Sequence, residues 1–138
     1  MGIAYRYLDH EDLVITVGDA VVTRDELVAF AERQVADPMW PFGARRLADL
    51  TTVESDLSPD DVEAAAAVYA ASNPTMRGVQ HALIASRRWD LARVFESHLD
   101  DLGSTAIVFN TLDTACTWLG VDVDSTRSVV NELREHRD

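Results

Sequence analysis

The sequence predicts an α/β domain: a mixed, mainly parallel sheet of four to five strands packed by helices, in the order ββαβαβα(α). Three observations lead there. Short β-branched runs alternate with stretches of helical periodicity, and turn or capping signals fall between them. The segment 45–67, RRLADLTTVESDLSPDDVEAAAA, reads as strand, loop and freshly capped helix in direct succession. Strands separated by helices of this length imply right-handed crossovers and therefore parallel neighbours. A chain of 138 residues, 47% of them hydrophobic, suits one core of ordinary size. Residues 1–120 are predicted to form the domain, and 121–138 an amphipathic helix packed on it or on a dimer partner.

The elements follow in order. Residues 3–8, IAYRYL, alternate apolar and polar, and 13–17, LVITV, form a more continuous β-branched run. The short polar link Asp9–Asp12 makes the two an antiparallel hairpin. Thr23, with Glu26 three residues on, is a capping box, and Leu27, Phe30, Ala31 and Val35 form the sheet-facing stripe of the helix it starts. Two prolines prevent DPMWPFG, 37–43, from continuing that helix. Its bulky Met39, Trp40 and Phe42 suit a lid tucked on the sheet edge, or one wall of a groove.

Residues 45–50 form the third strand. Ser58-Pro59-Asp60-Asp61 then starts a helix with a serine N-cap, proline at the first position and acids in the first turn. It runs to about Ser72, with Val62, Ala65, Ala66 and Tyr69 inward, until Asn73 and Pro74 break it. VQHALIAS, 79–86, is a strand. Leu91, Phe95, His98, Leu99 and Leu102 line one face of the next helix, which Gly103 stops. TAIVF, 105–109, is a short buried strand, Thr111 to Gly120 a capped helix, and the last helix begins at Asp124 or Ser125 with Val129, Val130 and Leu133 inward.

Composition excludes several functions. The net charge is −12, from 24 acids and 12 bases, and every base is arginine. Without lysine there is no P-loop lysine and no Schiff base. So negative a chain repels a nucleic-acid backbone, and neither DNA nor RNA is an expected partner. No apolar run approaches the roughly 20 residues that cross a bilayer, and no signal peptide opens the sequence, so a cytoplasmic location is expected. The single cysteine, Cys116, lies on an apolar helix face and agrees with a reducing compartment. The histidines His10, His81, His98 and His136 lack metal-ligand spacing, and no nucleophile elbow or dinucleotide-binding turn is present. Neither catalysis, a cofactor nor a metal is expected.

GDAVVTRDEL (18–27), DPMWPFGARRLADLTTVESDLSPDDV (37–62), ALIASRRWDLARVFE (82–96) and VFNTLDTACTWLG (108–120) together resemble the SpoIIAA-like proteins, relatives of the STAS domain of anti-sigma-factor antagonists. The resemblance covers most of the chain up to Gly120. It implies a small ββαβαβα domain that acts without catalysis, as a regulatory module binding a protein partner or itself. In STAS antagonists an Asp-Ser-Ser/Thr-Gly motif at the start of the second helix presents a phosphorylatable hydroxyl. The matching positions are Asp56, Leu57, Ser58 and Pro59, so Ser58 stands at the phosphosite, although leucine and proline replace the neighbouring serine and glycine. Proline narrows the loop's conformations, and the sequence therefore reads Ser58 first as an N-cap. The group is also similar in fold to lipid-binding CRAL-TRIO domains, which implies a second function, carriage of a small apolar or anionic ligand.

In an open α/β sheet ligands gather outside the carboxyl ends of the strands. The predicted topology brings three loops there: 54–58, 86–90 and 110–111. The candidate binding residues are accordingly Asp56, Ser58, Ser86, Arg87, Arg88 and Asn110, with Trp40 from the lid. Arg87 and Arg88 suit an anion, and pairing with surface acids such as Asp90 is their plainer role. The carrier reading places an apolar cavity beneath Met39, Trp40 and Phe42, with its anion end at these two arginines.

Overall fold

The structure, a computed structural model, describes residues 2–18, 21–39, 41, 43–54, 56–72 and 77–135. The elements are β1 (Ile3–Leu8), β2 (Leu13–Gly18), α1 (Arg24–Ala36), β3 (Arg45–Asp49), α2 (Pro59–Ser72), β4 (Gln80–Ile84), α3 (Trp89–Asp101), β5 (Thr105–Phe109), α4 (Leu112–Leu119) and α5 (Val123–Glu135). The order is ββαβαβαβαα, one βα unit more than the ββαβαβα(α) predicted from the sequence, and the sheet is mixed and mainly parallel as expected.

The five strands lie in the order β1-β2-β3-β4-β5. β1 pairs antiparallel with β2 as a hairpin, and the pairs β2–β3, β3–β4 and β4–β5 are parallel. Each parallel strand is thus added beside its predecessor through one helix. α1, α2 and α3 cover one face, packing side by side, and α4 and α5 return over the other. β2, β3 and β4 are covered on both faces, so both sets of alternating side chains turn inward. Toward α4 and α5 point Leu13, Ile15, Val17, Leu47, Ala82 and Ile84, which join Cys116, Leu119, Val130 and Leu133 in the largest apolar cluster.

Local chemistry sets the boundaries. The Thr23–Glu26 capping box forms in both directions, and Thr111 caps α4 by accepting from the Thr114 amide. Gly120 ends α4 at φ 76°, a left-handed conformation that glycine adopts without a Cβ clash. At Gly18 a Cβ would stand 2.8 Å from Val53 Cγ2, so the β3–α2 loop lies against the end of β2 only because that residue is glycine. α5 begins at Val123, one or two residues earlier than expected, because Asp122 accepts from the Ser125 amide at 2.9 Å and serves as its cap. The expected helix break at Asn73 and Pro74 and the side chains of Trp40 and Phe42 lie outside the described residues.

Candidate ligand-binding cavity

The carboxyl ends of the strands carry most of the residues selected from the sequence, and their polar groups are largely engaged with one another. Ser86 Oγ donates to Thr51 O at 2.9 Å. Arg87 pairs with Glu54. Arg88 holds Asp90 through Nε and Nη2 at 3.2 and 3.0 Å and also donates to Leu57 O at 2.8 Å. That bidentate bond holds the Asp90 carboxyl below its ordinary pKa. The plainer role expected for both arginines, pairing with acids, is the observed one. Ser58 is the N-cap of α2: its amide donates to Asp61 Oδ2 at 2.9 Å, and its hydroxyl accepts from the Asp61 amide at 3.4 Å. Asp56 and Asn110 are exposed, Met39 is 84% exposed, and Trp40 lies outside the described residues.

The pocket at that end, lined by Val22, Thr23, Arg24, Asp56, Leu57 and Asp61, is open to solvent, and topology explains why it is not a deep crevice. A crevice at the carboxyl ends arises where the strand order reverses and successive crossovers diverge to opposite faces. From β2 to β5 the order never reverses. The helices stay together on one face, and the room lies under them.

That room is a cavity of about 150 Å³ between the sheet and α1, α2 and α3. Small side chains from the sheet and from two of the helices above it account for it. The sheet offers Thr16 and Ala48 at its centre, α2 offers Ala65 and Ala66 from its four-alanine run, and α1 offers Ala31. Larger residues ring this space without filling it: Phe30 from α1, Leu83 from β4, and Leu91 and Phe95 from α3. Leu57 closes one end from the β3–α2 loop, with Arg88 beside it, so the candidate loop forms part of the wall.

The opposite end is polar. Arg46 and His81, each 8% exposed, stand opposite one another in the β3–β4 register and face the cavity with Gln34 and Tyr69. Tyr69 donates its hydroxyl to Gln34 Oε1, tying α2 to α1. Arg46 Nη2 donates to Pro41 O at 3.0 Å, tying β3 to the segment that precedes it. His81 Nε2 is buried and has no hydrogen-bond partner.

Desolvation dominates the protonation of this group. Burial, reinforced by the Arg46 charge, lowers the His81 pKa to about 3, so the imidazole is neutral at neutral pH. Burial lowers Arg46 to about 10, which leaves the guanidinium charged. It also raises Tyr69, keeping the phenol protonated and able to donate.

None of Arg46, His81, Gln34 or Tyr69 was among the candidate binding residues. A signal was present: strict alternation along RRLAD and QHALI puts Arg46 with Ala48 and His81 with Leu83 on the same side of the sheet. On the other face, Arg134 of α5 meets Asp49 at 2.9 Å and Thr51 Oγ1 at 2.8 Å, and Asp49 is 5% exposed. Cys116 is buried in the main cluster, and its thiol pKa is raised, chiefly by burial. Among the described residues no group of His, Cys, Asp and Glu is placed to hold a metal ion, and no helix is long and apolar enough to cross a membrane. Comparison with protein-family models, with curated proteins and with solved structures finds no match to this chain.

Proposed function

We propose that the protein binds a small, mainly apolar ligand in the cavity between the sheet and α1–α3, as a carrier or sensor. The observation that carries this reading is the cavity itself: about 150 Å³, walled chiefly by apolar side chains, with a buried His81 Nε2 lacking a partner at one end. An apolar space of that size holds a benzene-sized molecule. A merely structural interior closes such a space or satisfies its polar groups.

The regulatory reading implied by the SpoIIAA-like resemblance fits the same site as a sensor. Leu57 forms the cavity wall and is followed by Ser58, so an occupant pressing on Leu57 acts on the loop where that family meets its partners. The reading assigns binding without catalysis.

Filling the space tests the proposal. Ala65→Leu should occupy the gap, cost less than about 1 kcal/mol or stabilise, and abolish uptake of toluene or indole as followed by amide chemical shifts. A loss of about 3 kcal/mol would mean that α2 already packs solidly on the sheet, and the cavity reading would fall.

A further inference from the structure

We propose that the ligand is a small neutral hydroxyl compound, a phenol or a cyclic alcohol of one ring, whose hydroxyl bonds Nε2 of His81. This rests on the binding role proposed above and adds the group by which the ligand is recognised.

The polar side chains around the cavity set the requirement. Tyr69 donates to Gln34, Arg88 is held by Asp90 and by the Leu57 carbonyl, and Arg46 donates to the Pro41 carbonyl. His81 differs. It lines the cavity and is 8% exposed, and its Nε2 is buried with no hydrogen-bond partner among the described residues. Alternation along β4 turns His81 and Leu83 to the side that α1, α2 and α3 cover, and Nε2 lies at the end of the side chain remote from the backbone. A buried polar atom left unbonded costs free energy, which a ligand that bonds it recovers.

The imidazole is neutral, because burial and the neighbouring Arg46 charge both oppose a second proton. It therefore offers at Nε2 a lone pair in one tautomer and an N–H in the other. A hydroxyl answers either, donating to the lone pair or accepting from the N–H. A carboxylate or an ether answers only the N–H, and an ammonium only the lone pair. A charged group would also give up its hydration to walls that are chiefly apolar. A neutral hydroxyl meets both conditions, and a volume of about 150 Å³ restricts its body to about one ring.

The full chain, carrying isotope-labelled histidine, would be titrated at neutral pH with toluene, phenol and sodium benzoate. Phenol should shift the amides of Ala48, Tyr69 and Leu83, move the Nε2 resonance of His81 well beyond the effect of toluene, and bind at least as tightly as toluene. In a cavity that offers the hydroxyl no partner, phenol would trail toluene by about tenfold or more, and His81→Leu should produce that order. Phenol trailing toluene tenfold in the unaltered chain, or binding without moving Nε2, would overturn the hydroxyl assignment and leave the cavity's binding role standing. Benzoate binding tighter than phenol would overturn the ligand's neutrality in the same way. Silence with all three probes would overturn both proposals. The titrations of the unaltered chain carry the test even if His81→Leu does not fold.

Discussion

His81 should give the protein a pH-dependent stability that one substitution removes. Its ordinary pKa of about 6.5 applies to the unfolded chain, and burial lowers the folded value to about 3. Because the folded value is depressed, the contribution is full above about pH 6.5 and is lost as pH falls toward 3. Over that interval the unfolded chain takes up a proton that the folded one refuses. Between pH 7 and pH 5 the linkage amounts to about 2 kcal/mol of lost stability. Urea unfolding at the two pH values, for the parent chain and for His81→Gln and His81→Phe, isolates it, since every other titrating group is common to all three. The parent should lose about 2 kcal/mol more than either variant. A parent-minus-variant difference that does not move between pH 7 and pH 5 would refute the buried, neutral imidazole, as would a His81 ring proton that titrates near pH 6.5 by NMR.

Further expectations concern the elements around the cavity. Ser58→Ala should lower stability by about 1 kcal/mol in thermal or urea unfolding, through the lost cap of α2, and Ser58→Asp should restore most of it. Arg134→Ala leaves the buried Asp49 carboxylate with only its bonds from Thr51, and should cost roughly 2–3 kcal/mol in urea unfolding; Arg134→Met in an Asp49→Asn background should recover part of that loss. Ala65→Leu should combine near-parental stability with loss of toluene binding.

Much of the fold was legible because its signals are local. Thr23 with Glu26, Ser58 with Pro59, Thr111 and Gly120 each act within one turn, and each lies where its chemistry placed it. The interior face of α1 shows where local reading stops. Helical spacing selects Val35, whereas Gln34 is the buried residue, because Tyr69, 35 positions away, donates to it. The neighbours Arg45 and Arg46 look alike in sequence but point to opposite faces. Arg45 bonds the carbonyls of Leu119 and Glu11, and Arg46 turns to the cavity. The cavity is invisible to periodicity, since it depends on Thr16, Ala31, Ala48 and Ala65 meeting from four separate elements. Looking for a site at the carboxyl ends presumed a reversal of strand order, and reversal is a property of the whole sheet.

The unreversed strand order also dictates a schedule for synthesis. As the chain emerges, each new strand can dock on the one before it, and α1, α2 and α3 can roof one face as they appear. Leu13, Ile15, Val17, Leu47, Ala82 and Ile84 have nothing to cover them until α4 and α5 follow the last strand. A nascent chain therefore carries a half-built molecule with an exposed apolar sheet from the emergence of β2 until α4 and α5 have followed. A chain cut after Gly120, lacking Val130 and Leu133, should stay in that state: expression would give aggregates or a chaperone-bound species, and adding the missing helix in trans should return it to solution.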